Sequence, residues 1–598
     1  MRRAISWLVV CALASAACAA SDYRARLPED EIVYFVLPDR FANGDASNDR
    51  GGLSGDRLTT GFDPTHKGFY HGGDLKGLTA KLDYVQGLGS TAIWLGPIYK
   101  NKPVQGPPGD ESAGYHGYWI TDFTRVDPHF GSDADMRAFV QAAHARGMKV
   151  YLDIITNHTA DVIQYRECVG APCPYRSRAD YPYTRRGGVS GPPINHGFLA
   201  DSVHTPLNFE RLTDDSYAYT PFVPPAEAGV KVPAWLNAPI YYHNRGNSDF
   251  WGESSLAGDF FGLDDLMTEN PRVVQGFIDI YGDWIERYRI DGFRIDTARH
   301  VNPEFWQAFV PAMLRRARAQ GIPNFHIFGE VAADGADVAQ LARHTRVDKL
   351  PSVLDFGFAG TVEKVLAGSA GTSALGRLYQ DDGLYEGGTP AALRLPTFTG
   401  NHDAGRLAWK IRSARPTASD AEVLQRVLLS NAMLFLLRGV PVVYSGDEQG
   451  FVGHGVDQAA RQDMFASQVA SYNDQPLLGT ASTTAMDSFD IQHPLYRQVQ
   501  ALAALRKTFP ALRRGKQITR QQSVEPGLFA VSRFGSDGRE VVIAFNTSSR
   551  PVTAQVEVDP GSRAFTSVHG TCAAPGAPGS LKVELAPFAY LVCAEVMP

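Results

Sequence analysis

Carboxylates follow three short apolar segments in the middle of the chain. Asp296 and Glu330 each end such a segment, and Asp403 lies just beyond a third. Hydrolysis of an acetal needs two carboxyl groups with opposed protonation. One attacks or stabilises the anomeric carbon, and the other protonates the leaving oxygen. The sequence therefore holds candidate residues for the hydrolysis of a glycosidic bond.

The neighbours of these carboxylates predict different protonation states. Arg294 and Asp296 are two residues apart on a predicted strand, so their side chains share one face. A guanidinium beside Asp296 lowers the pKa of the carboxyl and favours the charged form that a nucleophile needs. Glu330 has apolar neighbours in sequence and no adjacent cation, which predicts the raised pKa of a general acid. His158 and His402 follow other strands and offer donors for sugar hydroxyls.

Eight short apolar or β-branched segments predict the buried strands that position these residues. They are Ile32–Leu37, Thr91–Leu95, Val150–Ile155, Gly292–Asp296, Phe325–Glu330, Ser352–Phe356, Leu393–Phe398 and Val440–Tyr444. Helical patterns lie between several of them; one starts after Ser132 and ends before Gly147, and another opens at Pro271. Such alternation implies a parallel sheet covered by helices, and eight strands close a (β/α)8 TIM barrel of the α/β class.

Two regions depart from the barrel repeat. The third strand ends near Asn157 and the next helix begins near Pro271, a gap of about a hundred residues, which is too long for an ordinary loop. We expect a small inserted domain there. After residue 510, the strands Leu528–Ser532, Val541–Asn546 and Val552–Val558 predict a C-terminal antiparallel β-sandwich.

These patterns divide the chain into five predicted segments. They are a signal peptide over 1–20, the first part of the catalytic barrel over 21–157, an inserted domain over 158–258, the second part of the barrel over 259–508, and the C-terminal sandwich over 509–598.

The N-terminus is typical of an exported protein. Arg2 and Arg3 precede the apolar run Ile5–Leu13 and a row of small residues, which is the pattern of a secretory signal peptide. The run is too short to span a bilayer as a mature helix. We expect a periplasmic or secreted protein without a transmembrane segment. Alternatively, Cys18 is the lipid-modified first residue of a form anchored in the outer membrane.

Four cysteines remain outside the signal, in two local pairs: Cys168 with Cys173, and Cys572 with Cys593. An even count in an exported protein predicts two disulfides; the alternative is inert thiols. The net charge is −7 and no basic block is present, so a nucleic-acid partner is not expected. An uncharged substrate fits this charge balance, and the oligomeric state stays open.

Four segments at predicted strand ends resemble, in order and spacing, the four motifs of the α-amylase family of glycoside hydrolases. They are Asp153–His158, Asp291–His300, Phe328–Val331 and Gly400–Asp403. The resemblance implies retaining cleavage of α-1,4-glucosidic bonds in an α-glucan or maltooligosaccharide. It also implies Asp296 as nucleophile, Glu330 as general acid/base and Asp403 as transition-state stabiliser. The alternative for these carboxylates is a helix cap or a structural ion pair.

The same resemblance implies a set of sugar-binding residues. Arg294, His158 and His402 surround the sugar at the cleavage point. The segment Tyr115–Trp119 is similar to the family's aromatic wall, with Tyr118 stacking on that sugar.

Four further residues in these segments are assigned individual roles. The resemblance also places His116 and Trp119 in the aromatic wall; alternatively, Tyr118 and Trp119 are core aromatic residues. Arg299 stands where the family commonly has Lys, which changes contacts beyond the cleavage point. Asp153 is expected to be structural and to hold either Arg294 or neighbouring loops.

A cluster of oxygen-bearing side chains near the N-terminus predicts Ca²⁺ binding. Asn43, Asp45, Asn48 and Asp49 lie within seven residues, and the pair Gly72 and Asp74 follows downstream. The stretch resembles a calcium loop of cyclodextrin glucanotransferases and related amylases. The alternative is a surface turn rich in Asp and Asn.

A second calcium of the family bridges the barrel and the inserted domain. The resemblance places Asn157 and the carbonyl of His300 among its ligands. Gly262 stands where many relatives have a calcium-binding Asp, so this site is doubtful here.

Three functions remain open within this resemblance. The first is an α-amylase acting on starch or maltodextrins. The second is a cyclodextrin glucanotransferase or a cyclomaltodextrinase-type enzyme; the lack of further starch-binding modules or of an extra N-terminal domain argues against both. The third is a non-catalytic sugar-binding homologue, which the presence of all three carboxylates disfavours.

Overall fold

The computed structural model describes residues 23–168, 172–332, 337–574 and 577–596. The signal peptide predicted over 1–20 and the proposed lipidation of Cys18 lie outside these residues. Within the described ranges, no helix has the length and apolar character needed to cross a membrane.

The central sheet has seven parallel strands that run around a barrel. They are Val33–Val36, Ala92–Leu95, Lys149–Ile154, Gly292–Ile295, His326–Gly329, Pro396–Thr397 and Val440–Tyr444. The first strand pairs with the second strand on one side and with the last strand on the other. The first and last strands of the sequence are therefore neighbours, as a barrel requires.

The sixth strand, which we predicted over Ser352–Phe356, is reduced to a single parallel bridge from Val353 to the fifth strand. The chain turns away because the side chain of Asp355 caps the helix Phe356–Ala367. The amide of Asp355 still donates to the carbonyl of Pro396 over 2.9 Å. This segment therefore joins the fifth and seventh barrel positions, and the predicted (β/α)8 barrel is confirmed.

Helices cover the outside of the barrel between successive strands. They are Leu75–Ala80, Leu82–Gly87, Asp133–Ala145, Pro271–Tyr288, Pro303–Ala319, Val338–Arg346, Phe356–Ala367, Leu407–Ala414, Asp420–Leu436 and Pro494–Thr508. The predicted cap at Ser132 is confirmed, since its side chain accepts a hydrogen bond from the amide of Asp135 at the start of the third of these helices. The fourth helix begins at Pro271, next to the expected start, and Asn270 caps it.

Alternate residues of the barrel strands face opposite sides, as the two-residue period of a strand requires. Phe35 belongs to the cluster inside the barrel, whereas Tyr34 packs outward against the helices. The ring of Phe35 stacks on Trp94 with centroids 3.9 Å apart. Because the barrel interior is packed, side chains that reach solvent lie at its ends.

The segment between the third strand and Pro271 has little regular structure. It contains short 3-10 helices and two-residue strands, such as His158–Thr159 and Asp264–Asp265, which pair with each other. A separate apolar cluster fills it, with Tyr183, Ile194, Phe198, Phe209, Leu212, Tyr217, Ala218 and Met267 as its buried members. The predicted disulfide between Cys168 and Cys173 lies here.

The C-terminal strands form two antiparallel sheets that share one apolar cluster, as predicted. The larger sheet contains Lys516–Gln521, Leu528–Phe534, Glu540–Asn546, Tyr590–Glu595 and Phe565–His569, in that order. The smaller sheet pairs Val552–Glu557 with Ser580–Leu585. The second predicted disulfide joins Cys572 to Cys593.

Candidate active site

A cleft of about 530 Å³ opens at the C-terminal ends of the barrel strands. Asp296, Glu330 and Asp403 all line it. Asp296 directly follows the fourth strand, Glu330 follows the fifth, and Asp403 lies in the loop after the seventh. The parallel strands thus bring the three predicted carboxylates to one mouth of the barrel.

The guanidinium of Arg294 lies at the centre of these carboxylates and is fully buried. Its Nη1 donates to Asp296 Oδ1 over 2.7 Å and to Asp153 Oδ1 over 2.9 Å. Its Nη2 lies 2.8 Å from Glu330 Oε1. The expectation that no cation is adjacent to Glu330 was therefore wrong. The contact comes from the neighbouring strand, which the sequence neighbours of Glu330 do not show.

Asp153 holds this guanidinium from the third strand, as predicted. Its Oδ2 also accepts hydrogen bonds from Trp94 Nε1 over 3.0 Å and from the hydroxyl of Tyr118 over 3.2 Å. Sequence patterns did not single out Trp94, since it belongs to an ordinary apolar strand. Asp153 is buried beneath the cleft and does not line it, so it positions the groups that do.

The two carboxyl groups on Arg294 differ in acidity. Burial raises the pKa of Asp296 to about 6, against the opposing effect of Arg294. Burial raises the pKa of Glu330 to about 7, with Arg294 again opposing and Asp296 and Asp403 adding to the rise. Burial thus favours the protonated form at both carboxyl groups, and at Glu330 it does so with added repulsion from Asp296 and Asp403, which suits a general acid.

Asp403 has a different environment. Its Oδ1 lies 2.7 Å from Arg461 Nη2 and its Oδ2 lies 3.1 Å from His402 Nε2. Burial alone would raise the pKa of Asp403, but His402 and Arg461 lower it to about 2. Burial lowers the pKa of His402 itself to about 3, so at neutral pH the charge that stabilises the Asp403 carboxylate is that of Arg461.

Arg461 is a functional candidate that the sequence did not reveal. It comes from the loop after the last barrel strand, where no neighbouring residue distinguishes it. Its Nε donates to the carbonyl of His402 over 3.1 Å, and its Nη1 donates to the hydroxyl of Tyr115 over 3.2 Å. These contacts fix the position of Asp403 at the cleft.

The predicted sugar-binding residues fall into two groups. One group lines the cleft: His116, Tyr118, Trp119, His158 and Arg299. Arg294 and His402 are fully buried behind it. The hydroxyl of Tyr118 lies 2.8 Å from His402 Nε2, and the two rings are stacked with centroids 5.6 Å apart.

His158 presents an unsatisfied nitrogen at the cleft. Its Nε2 is buried and has no hydrogen-bond partner among the described residues. Burial lowers its pKa to about 3, so the ring is neutral. It stacks on Phe260 at 5.7 Å with an interplanar angle of 7°. Phe260 and Phe261 also line the cleft and were not predicted.

The predicted N-terminal calcium residues do come together. Asp49 Oδ1 accepts from Asn43 Nδ2 over 2.8 Å, and Asp74 Oδ2 accepts from Asn48 Nδ2 over 3.1 Å. The buried Oδ1 of Asn48 has no donor among the described residues. Asp45 is less available, because it forms an ion pair with a nearby lysine, Lys76.

Two further observations bear on whether this loop fits a cation. A Cβ on Gly72, whose φ is +97°, would lie 2.7 Å from Asp49 Oδ1, so only glycine allows this close approach. Burial and the nearby carboxylates of Asp39, Asp74 and Asp45 raise the pKa of Asp49. Converging oxygens and crowded negative charge fit hard Ca²⁺.

The second predicted calcium position has a poorer donor set. The ring of Phe260 packs against His158 and lies 5.2 Å from the ring of His300. Asn157 Nδ2 lies 3.2 Å from His158 Nδ1. Gly262 contributes no carboxylate. Aromatic rings and an amide offer little to a hard cation.

A buried cluster of Asp201, His243 and Glu269 has the spacing of a metal site, with ligand atoms within 4.8 Å of one another. Burial would lower the pKa of His243, but Glu269 and Asp265 raise it to about 9. The ring nitrogens of His243 lie 2.6 Å from Asp265 and 3.0 Å from Glu269, so both already have carboxylate partners. Arg178 Nη2 also lies 2.6 Å from Asp201. In this structure the cluster forms a buried network of ion pairs.

Fold and cleft together define a (β/α)8-barrel protein with paired carboxyl groups of the kind that glycosidases use. Residues 35–515 match the family model described as alpha amylase, catalytic domain. The chain belongs to the alpha-amylase family.

Relatives within the family differ in activity. The chain is 47% identical over 520 residues to an alpha-amylase from Streptomyces lividans, covering 87% of this chain and 55% of that protein. It thus spans about half the length of that relative. It is also 26% identical over 510 residues to a cyclomaltodextrin glucanotransferase from Klebsiella oxytoca, covering 81% of this chain and 66% of that protein.

The solved structures that resemble this chain also include both alpha-amylases and cyclomaltodextrin glucanotransferases. An alpha-amylase from Geobacillus thermoleovorans complexed with acarbose has a TM-score of 0.66 at 26% identity, covering 96% of this chain and 99% of that chain. CldA, described as the first cyclomaltodextrin glucanotransferase with a three-domain ABC distribution, has a TM-score of 0.69 at 25% identity, covering 95% and 99%. The expectation that such a transferase needs additional modules therefore does not hold for CldA.

Proposed function

We propose that this protein is a retaining glycoside hydrolase that cleaves α-1,4-glucosidic bonds in starch or maltodextrins. The observation that carries the proposal is the placement of Asp296 and Glu330 on one guanidinium, that of Arg294, in a cleft at the barrel mouth. Sharing one cation keeps the two carboxyl groups close, as a retaining enzyme needs, and burial raises the pKa of Glu330, as a general acid needs.

In the first step, the Asp296 carboxylate attacks the anomeric carbon while Glu330 protonates the glycosidic oxygen. The carbon–oxygen bond to the leaving sugar breaks, and a covalent glycosyl-enzyme forms. In the second step, ionised Glu330 removes a proton from water, which attacks the same carbon and releases Asp296. Arg294 holds both carboxyl groups in place through each step.

Asp403 takes the role of transition-state stabiliser in this proposal. Arg461 keeps its carboxylate ionised, so a negative charge is available for the positive charge that develops on the sugar ring. Tyr118 offers an aromatic face to the sugar, while His158 and His116 offer ring nitrogens to its hydroxyls.

Calcium, export and domain limits complete the proposal. The loop of Asn43, Asn48 and Asp49 with Asp74 and the Gly72 backbone would hold one structural Ca²⁺, which stabilises the fold.

The two disulfides support export, as does the predicted signal peptide. The five segment limits given above remain our proposal for the domain organisation.

Cyclodextrin glucanotransferase activity is the second candidate. The similarity to CldA over nearly the whole of both chains supports it. Both activities pass through the glycosyl-enzyme and differ in the acceptor. The acceptor is water in the hydrolase, and a hydroxyl group of the same glucan chain in the transferase.

A time course of products from soluble starch, resolved by chromatography with added Ca²⁺, separates the candidates. Short linear maltooligosaccharides at early times support the hydrolase, and early cyclic products support the transferase. Proton NMR of the first products should show the α-anomer. A protein that yields no product from starch or maltodextrins would contradict both proposals and leave a non-catalytic sugar-binding protein.

A further inference from the structure

Two loops meet beside Asp403 at the mouth of the barrel. The first, residues 400–407, follows the seventh strand and carries Asp403. The second, residues 445–462, follows the last strand and carries Arg461. The amide of Asp457, in the second loop, donates to the carbonyl of Asp403 over 3.2 Å. The position of Asp403 therefore depends on where the second loop lies.

Arg406 joins these two loops at their base. It follows Asp403 by three residues, and it is 1% exposed. Its Nε donates to Gln462 Oε1 over 2.8 Å, and its Nη2 donates to the carbonyl of Ser445 over 3.0 Å. Its Nη1 lies 2.6 Å from Asp447 Oδ1. One guanidinium thus binds the first and the last residue of the second loop.

This set of contacts requires an arginine. Its planar group has donors in fixed directions, whereas lysine has a single nitrogen and cannot reach three separate acceptors in the same geometry. The plane of the Arg406 guanidinium is also held by aromatic rings, since its central carbon lies 4.3 Å from the ring centre of Tyr444 and 4.9 Å from that of Phe451. Holding both ends of a long loop at one point restricts the conformations that the loop can adopt.

Gln462 connects Arg406 to the catalytic cleft through its neighbour in sequence, Arg461. Arg461 Nη2 lies 2.7 Å from Asp403 Oδ1, and its Nε donates to the carbonyl of His402 over 3.1 Å. Arg461 lines the cleft, whereas Arg406 and Gln462 do not. Any effect of Arg406 on the chemistry must therefore pass through the loop that carries Arg461.

We propose that Arg406 and Gln462 are positioning residues for the reaction. They hold the second loop so that Arg461 stays against Asp403, and they thereby place the carboxylate of Asp403 at the cleft. We call this pair of residues the loop clamp. The inference rests on the proposed function, because it takes Asp403 as the transition-state stabiliser.

The first test compares wild type with Arg406→Lys and Gln462→Met on soluble starch. We expect Arg406→Lys to lower kcat about 5- to 50-fold with a smaller change in KM, because a small displacement of a group that acts in the transition state lowers the rate more than it weakens substrate binding. Gln462→Met should lower kcat less, since it leaves the contact between Arg406 and Asp447 in place. Gln462→Glu keeps an acceptor for Arg406 Nε and should retain more of kcat than Gln462→Met. A rise in KM at unchanged kcat would contradict the proposal.

Arg438→Lys is the matched control. Arg438 is also 1% exposed, and its guanidinium binds the carboxylates of Asp382 and Asp355. It precedes the last strand, whereas the loop clamp lies beyond that strand. Both substitutions should lower the Tm, but only Arg406→Lys should lower kcat at a temperature where both variants are folded. Equal losses of kcat would indicate a general loss of stability and would overturn the proposal.

A double variant tests the route from Arg406 to Asp403. If the loop clamp acts through Arg461, Arg406→Lys combined with Arg461→Lys should lose little more kcat than Arg461→Lys alone. Losses that multiply in the double variant would show that Arg406 acts independently of Arg461, and the proposed route would be wrong.

Amide hydrogen exchange, measured by mass spectrometry, gives a readout that needs no turnover. Exchange in residues 445–462 should be faster in Arg406→Lys than in wild type and should be unchanged in Arg438→Lys. Unchanged exchange in Arg406→Lys would overturn the loop clamp. A wild-type protein without turnover would reject the proposed function, and the exchange comparison would still decide whether Arg406 holds the second loop.

Discussion

Arg294 Nη2 lies 2.8 Å from Glu330 Oε1, so the residue proposed as general acid shares its cation with the proposed nucleophile. Burial still raises the pKa of Glu330 to about 7 despite this contact. The guanidinium therefore sets the distance and orientation of the two carboxyl groups, while burial sets the protonation of the acid.

The two carboxyl groups have separable roles that substitution can distinguish. We expect Asp296→Asn and Glu330→Gln each to lower kcat on starch by about 10²- to 10⁴-fold or more, because each removes an essential chemical group. A fluoride leaving group needs no protonation, so Glu330→Gln should still release a burst of fluoride from α-maltosyl fluoride, whereas Asp296→Asn should not. Circular dichroism checks that both variants are folded. Near-wild-type starch hydrolysis in either variant would refute the assignment.

The raised pKa values of Asp296 and Glu330 predict a bell-shaped pH profile for kcat/KM. The carboxylate form of Asp296 is needed, so activity should fall as the pH drops below about 6. The protonated form of Glu330 is needed, so activity should also fall as the pH rises above about 7. Initial rates at low substrate concentration from pH 4 to pH 9 provide the measurement. In Glu330→Gln the alkaline limb should disappear, and a limb that persists there belongs to another group.

The charged form of Glu330 should lower the free energy of unfolding of the protein. Its folded pKa of about 7 exceeds its ordinary value of 4.5, so the folded protein holds the proton more tightly than the unfolded chain. Stability from this group is complete below pH 4.5 and is lost as the pH rises through 7. We expect the free energy of unfolding of Glu330→Gln, measured with urea, to exceed that of wild type at pH 8 by up to about 3 kcal/mol, and by less at pH 5. A variant that is less stable at pH 8 would show that the ion pair with Arg294 outweighs burial.

Arg461 should act by positioning and charging Asp403. Lysine has a single nitrogen and cannot reproduce the contacts with Asp403, the His402 carbonyl and Tyr115 together. We expect Arg461→Lys to lower kcat about 10- to 100-fold, with a smaller change in KM. Arg412→Lys, at a partly exposed ion pair with Asp420, is the matched control. An equal effect of both substitutions would indicate a general loss of stability.

Calcium binding should be visible as a change in Tm. EDTA should lower the Tm of wild type, and Ca²⁺ at about a hundred times its Kd should add about 2.7 kcal/mol to the free energy of unfolding. Asp49→Ala should abolish this response, because it removes a carboxylate beside Gly72 and Asn43. Asp110→Ala, at an exposed loop aspartate, should retain it. A Tm that is insensitive to EDTA in wild type would exclude the proposed calcium loop.

The sequence by itself determined the barrel, the disulfide pairs and the three carboxylates at the cleft. Strand periodicity, the helix cap at Ser132, the proline at the start of the helix Pro271–Tyr288, and acidic residues just after strands are local features. A parallel barrel brings all strand ends to one mouth. The predicted sixth strand, Ser352–Phe356, is reduced to one bridge because Asp355 caps a helix that begins at Phe356, inside the apolar segment. Here the helix cap outweighed the strand pattern.

Only the tertiary structure decided which groups surround each carboxylate. The contact of Arg294 with Glu330 joins two neighbouring strands, and Arg461 reaches Asp403 from a distant loop. Such contacts depend on the packing of residues that are far apart in sequence, and pKa values depend on burial that packing creates. Composition and spacing describe neighbours along the chain, whereas catalysis and binding depend on neighbours in space.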